Sequence, residues 1–131
     1  MASKKLSTLP MEDGFVMPAE YEPQESVWIC IGGVHALWHS GGFPVRRTQV
    51  ELAKAINEAG THVNVAVTQD LYLEAEYLFE GMDVSIYEMS LDNDWPRDMG
   101  AITVKNRKTG EIRGVDFLFN GWGGEMSGAM A

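Results

Sequence analysis

The run Asp92-Asn93-Asp94-Trp95-Pro96-Arg97-Asp98 sets three carboxylates around one tryptophan. A planar guanidinium is held by paired hydrogen bonds to a carboxylate and by stacking on an aromatic face, so this run suits a guanidinium site. It follows a predicted strand, and loops held by a rigid sheet commonly carry functional groups. The same residues also suit a solvated turn, with Arg97 neutralising a neighbouring carboxylate and Trp95 packed in the core. A second cluster, Phe119-Asn120-Gly121-Trp122-Gly123-Gly124, places an aromatic in a glycine-rich turn where a ligand can approach the backbone. It is equally compatible with a turn whose Trp122 packs on the sheet. Neither GxGxxG nor the Walker pattern occurs, so phosphate cradling is not indicated.

Other reactive side chains carry weaker signals. His35 and His39 flank Trp38 at helical spacing and would share one face as zinc ligands. No HExxH glutamate or suitably spaced cysteine accompanies them, which favours ordinary surface histidines. Cys30 sits in the apolar run Val27–Ile31 with no basic neighbour, the setting of a buried, inert thiol. Between Gln69 and Asp94 eight acids occur with no lysine or arginine. Most suit a solvated helix face; any that border a pocket would favour a polyamine-like cation.

The elements that must position these groups follow from the pattern of 131 residues, 45% of them apolar, with one cysteine and a net charge of −9. That composition describes one globular domain without a disulfide scaffold, in a soluble and cytoplasmic chain. The charge disfavours nucleic acid, and no apolar run approaches the ~20 residues of a membrane span. Met1–Gly14 lacks periodicity and is expected to be a mobile arm. Ser26–Ile31 reads as a short, fully buried strand. From Pro44, helical spacing continues through Val45, Gln49, Leu52, Ala53 and Ile56 to a stop at Gly60. Val63, Val65 and Val67 predict a half-buried strand, and Asp70 a cap for a helix over Leu71–Phe79. A strand from Val84 precedes the acidic loop, and Ala101–Lys105 with Glu111–Leu118 form a hairpin about Asn106–Gly110. Strands alternating with helices favour parallel pairing and the hairpin adds antiparallel pairing, giving an α/β chain with a mixed sheet.

The ordered series of motifs resembles the N-terminal part of the agmatine deiminase (agmatine iminohydrolase) family, in the guanidine-modifying pentein superfamily. It includes Asp13-Gly-Phe, Met17-Pro-Ala-Glu-Tyr-Glu-Pro-Gln-Glu, Tyr87-Glu88-Met89-Ser90, Asn93-Asp94-Trp95-x-Arg97-Asp98-x-Gly100 and Asn120-Gly121-Trp122-Gly123-Gly124. The resemblance implies one to two ββαβ-type blades of a five-bladed α/β propeller, with residues 1–131 forming the N-terminal part of the domain. It implies hydrolysis of agmatine to N-carbamoylputrescine and ammonia, within putrescine and polyamine biosynthesis, without metal or organic cofactor. Asp98 takes the place of the family's guanidinium-binding catalytic carboxylate, Trp95 of the adjacent aromatic, and Trp122 of a pocket tryptophan, with Asp94 beside them as a substrate-binding carboxylate. The family's nucleophilic cysteine, its histidine and a second aspartate belong to segments beyond residue 131, so the chain alone is expected not to turn over. Ile31-Gly32 stands where the family usually has Trp-Pro, and Pro96, Met99 and Ala101 also depart from its pattern. The implied partner is agmatine or a related guanidine or polyamine, with no nucleic acid, no membrane and a homo-oligomer as further expectations. The rival reading is a non-catalytic α/β module that self-associates through open strand edges or binds polyamines.

Overall fold

Val63, Val65 and Val67 are β-branched and suit a pleated strand, but the strand expected to be half buried is buried on both faces, Asn64 and Ala66 included, because it is the central one. The computed structural model, which describes residues 6–32, 39–91 and 94–117, places them on β3 (His62–Val67), the central strand of a three-stranded parallel sheet. Its neighbours are β2 (Ser26–Ile31) and β4 (Val84–Glu88), in register Trp28↔Asn64↔Ser85 and Cys30↔Ala66↔Tyr87. Two helices make the crossovers that parallel strands require: α1 (Phe43–Glu58) and α2 (Tyr72–Leu78).

Both helices cover one face of this sheet. Ile29, Ile31, Val63, Val65 and Val67 pack there with Ala53 of α1 and with Leu71, Ala75 and Phe79 around α2. Val50 and Ile56 complete the α1 stripe, while Leu52, expected on it, is exposed. The stripe therefore runs through positions 49, 50, 53 and 56, one helical face. Gly60, with φ 85°, gives α1 its left-handed exit. Asp70 lies in a 3-10 turn (Gln69–Leu71) that leads into α2, and neither element has a side-chain cap hydrogen bond. Arg46 joins the helices through Glu74 Oε1 at 2.8 Å and also donates to the Gly41 carbonyl at 2.7 Å. That second bond pins the left-handed backbone of Gly41 and Gly42, which precedes α1.

A second compact unit comprises the described residues of 6–22 and 97–117, against Pro23–Pro96 for the first. Its sheet is antiparallel, in the order β1 (Phe15–Val16), β5 (Ile102–Asn106) and β6 (Ile112–Val115). The expected hairpin is present: Gly110 takes φ 76° and donates to the Asn106 carbonyl at 2.8 Å, and Asn106 Oδ1 accepts from the Lys108 and Thr109 N–H groups. Parallel and antiparallel pairing thus both occur, divided between two sheets. Residues 8–15 are tied in by the Phe15 N–H to Pro10 carbonyl bond of 2.9 Å and by Thr8 donating to Asp13 at 2.7 Å. Arg113 bridges Asp13 and Glu111 at 2.6 and 2.9 Å, with its guanidinium 4.0 Å from the Phe15 ring centroid. The Thr8 hydroxyl and the Arg113 guanidinium hold the Asp13 carboxyl below its usual range. The short helix α3 (Pro96–Met99) leads from the acidic loop towards β5. No helix among the described residues is long and apolar enough to cross a membrane.

Candidate functional site

Parallel strands in α/β sheets present their ligand-binding loops at the carboxyl ends. β2 ends at Ile31, and the next N–H, of Gly32, donates to the Asp94 carboxylate. A contact between residues so distant in sequence fixes the start of the Asp94-Trp95 segment against the end of that strand. Beside it, β3 and β4 end around an open cleft of about 500 Å³ whose lining includes Thr68, Asp70, Glu88 and Ser90. Two carboxylates and no lysine or arginine among the described lining residues make this end of the sheet favourable to a cation.

The predicted site residues divide as follows. Asp94 holds Gly32, and Trp95 is half exposed, at 50%, rather than a core residue. Asp98 is exposed on α3. Arg97 reaches Glu20 Oε1 at 3.0 Å. Trp122 and its glycine-rich turn lie outside the described residues, as do His35, Asp92 and Asn93. His39 is exposed on the 3-10 turn His39–Gly42. Trp28 corrects the reading of β2 as fully buried: it is 46% exposed, because it lies on the sheet face opposite the helices. The Gly32–Asp94 bond had no local signal, since its partners are 62 positions apart and only the fold joins them.

Cys30 is buried, and burial, followed by the nearby Asp94 charge, pushes its thiol up to about 11 from 9.0. Such a thiol is a poor nucleophile. At pH 8 iodoacetamide should alkylate Cys30 about 100-fold more slowly in the folded chain than in urea, because that is the ratio of thiolate fractions for this shift. The folded state holds the proton more tightly, so stability is unaffected by this group below pH 9 and declines as pH rises from 9 towards 11. Mass spectrometry of the alkylated fraction and urea titrations at pH 8 and 10.5 measure both effects.

The sequence profile of the Porphyromonas-type peptidyl-arginine deiminase family matches residues 16–130. The chain belongs to this family. Within it, the chain is 41% identical over 128 residues to the agmatine deiminase of Pseudomonas putida, covering 98% of this chain and 34% of that protein. The solved agmatine deiminase of Enterococcus faecalis superposes with a TM-score of 0.87 at 41% identity, over 94% of this chain and 33% of that one. A C. jejuni agmatine deiminase, 19% identical, shares the fold with a TM-score of 0.57, over 81% of this chain and 31% of that one. This family member therefore has the α/β pentein fold and spans about a third of the length of the relatives it matches.

Proposed function

We propose that residues 1–131 are the amino-terminal portion of an agmatine-deiminase domain, with Asp98 ion-pairing with the substrate guanidinium. Trp95 and Trp122 wall the site and Asp94 contributes a second carboxylate. The supporting observation is the 41% identity to an agmatine deiminase, which extends over 98% of the chain and so spans this whole segment. The reaction is hydrolysis of agmatine to N-carbamoylputrescine and ammonia, in the cytoplasm, on a route to putrescine. In it a cysteine thiolate adds to the guanidinium carbon, ammonia leaves, and water releases the ureido product from the amidino-cysteine. Here the family pattern assigns this chain's residues the binding half. A carboxylate facing the guanidinium neutralises it and accepts its N–H groups, while an indole face supports its plane. The nucleophile and histidine belong to segments beyond residue 131.

A second reading is a carboxylate site for polyamines in general, favoured by Asp70 and Glu88 at the cleft. Titrating agmatine and putrescine into the ¹⁵N-labelled chain, and following the tryptophan indole N–H signals, separates the two. Guanidinium recognition predicts that agmatine moves the Trp95 signal and putrescine leaves it in place. Equal responses to both amines would support the general polyamine site. Ammonia release from agmatine by the chain itself would overturn the assignment of the nucleophile to other segments.

A further inference from the structure

The face of the parallel sheet turned away from the helices carries a side-chain array that agmatine chemistry does not use. His62 opens β3, Asp83 precedes β4, and Ser85 is the second residue of β4. His62 Nδ1 lies 2.8 Å from Asp83 Oδ1, and His62 Nε2 lies 3.0 Å from Ser85 Oγ. With the proton on Nδ1 and donated to Asp83, the Nε2 lone pair accepts the Ser85 hydroxyl. This is the relation among nucleophile, base and orienting acid that identifies serine hydrolases by geometry, whatever the chain order.

The surroundings supply the remaining parts. Asn57 fixes the backbone that carries the acid: its Oδ1 accepts the Asp83 N–H, and its Nδ2 donates to the Asp83 and Thr61 carbonyls, each at 3.0 Å. Asn64, 8% exposed, stands in register with Ser85 on the same face. Its Nδ2 gives one hydrogen to Ser26 Oγ at 2.8 Å and carries a second. A side-chain amide beside the nucleophile can stabilise a developing oxyanion. Next along the face, Trp28 and Tyr87 lean together over β3, with ring centroids 5.2 Å apart, and remain 46% and 45% exposed. They meet across the central strand because the residue between Cys30 and Tyr87 is only Ala66. The rings offer an apolar platform next to the polar group.

We propose that Ser85, His62 and Asp83 form a second site, one that hydrolyses small esters with an aromatic or short aliphatic substituent resting on Trp28 and Tyr87. Ser85 Oγ adds to the ester carbonyl while His62 Nε2 takes the hydroxyl proton. The tetrahedral oxyanion accepts an N–H of Asn64. The carbon–oxygen bond to the alcohol breaks, and that alcohol leaves with the proton from Nε2. Water then adds to the acyl-serine, giving its proton to Nε2; collapse releases the carboxylic acid and returns the proton to Ser85. Asp83 is a positioning residue in this scheme, acting through the imidazole.

This proposal goes beyond the agmatine reading and depends on none of its residues. The test incubates the full chain with p-nitrophenyl acetate and p-nitrophenyl butyrate at pH 7.5, and separately with a fluorophosphonate probe followed by peptide mapping. The expected results are phenolate release and one phosphonyl group on Ser85. Ser85→Ala should lose the label and about 100-fold or more of the hydrolysis, the scale of a general-base-assisted nucleophile. Asp83→Asn should lower kcat with KM unchanged, the split expected of a residue that positions the imidazole without touching the substrate. No label on Ser85 in the folded wild-type chain overturns the proposal, whatever the variants do. So does a Ser85→Ala variant that keeps the wild-type melting transition and the wild-type rate.

Discussion

Asp98→Asn should weaken agmatine binding by about 10- to 100-fold, the range expected when a charge-assisted pair loses its anion. Asparagine keeps the size of the side chain and removes the charge, so the loss reports electrostatics and not shape. Asp98 is exposed on α3 and has no packing role to lose. The melting temperature should therefore stay within about a degree or two of wild type, as for surface substitutions generally. Isothermal calorimetry with agmatine, paired with thermal melting, measures both quantities. An Asp98→Asn chain that binds agmatine as wild type does would remove the residue from the site.

Phe79→Ala should cost about 3–5 kcal/mol, the usual penalty for emptying a buried aromatic position. Phe79 is 2% exposed and is the largest of the fully buried side chains among the described residues, at the point where α2 turns back towards β4. Its ring joins Ala75 and Leu71 against Val63, Val65 and Val67, so its removal opens a cavity in the cover that the α2 region gives the sheet. Because single domains are stable by only about 5–15 kcal/mol, this loss should remove a large share of the stability of the Pro23–Pro96 unit and shift its urea midpoint well down. Urea denaturation followed by tryptophan fluorescence measures the shift. Phe79→Leu, which keeps most of the volume, should cost less than half as much.

Features of the fold that rest on local interactions are legible in the sequence, and those that rest on long-range pairing are not. The alternation of Val63, Val65 and Val67 and the spacing from Pro44 to Gly60 are local signals, and they located β3 and α1 within a residue or two. The Asn106–Gly110 turn is also local, and the hairpin formed. Where a strand is only two residues long, as at Phe15–Val16, there is no period to read. Its pairing with Lys105 and Asn106 appears only in the fold. Trp28 was misread because an apolar run does not say whether both faces of its sheet are covered. The site shows the same division. The residue types at Asp94, Trp95 and Asp98 suggest a guanidinium site from the sequence, whereas the bond from Gly32 to Asp94 has no sequence signal. The Ser85–His62–Asp83 array was invisible for the same reason: the register of β3 on β4 creates it, and no spacing within one element encodes it.

The parallel ladder also sets a timetable for the molecule. Every partner pair in β2–β3 and β3–β4 is separated by an intervening helix, so the chain must close long loops before any rung of that ladder is gained. The hairpin β5–β6 closes over only a few residues. It should therefore form early and often in a refolding experiment, while the parallel sheet arrives late and sets the overall rate.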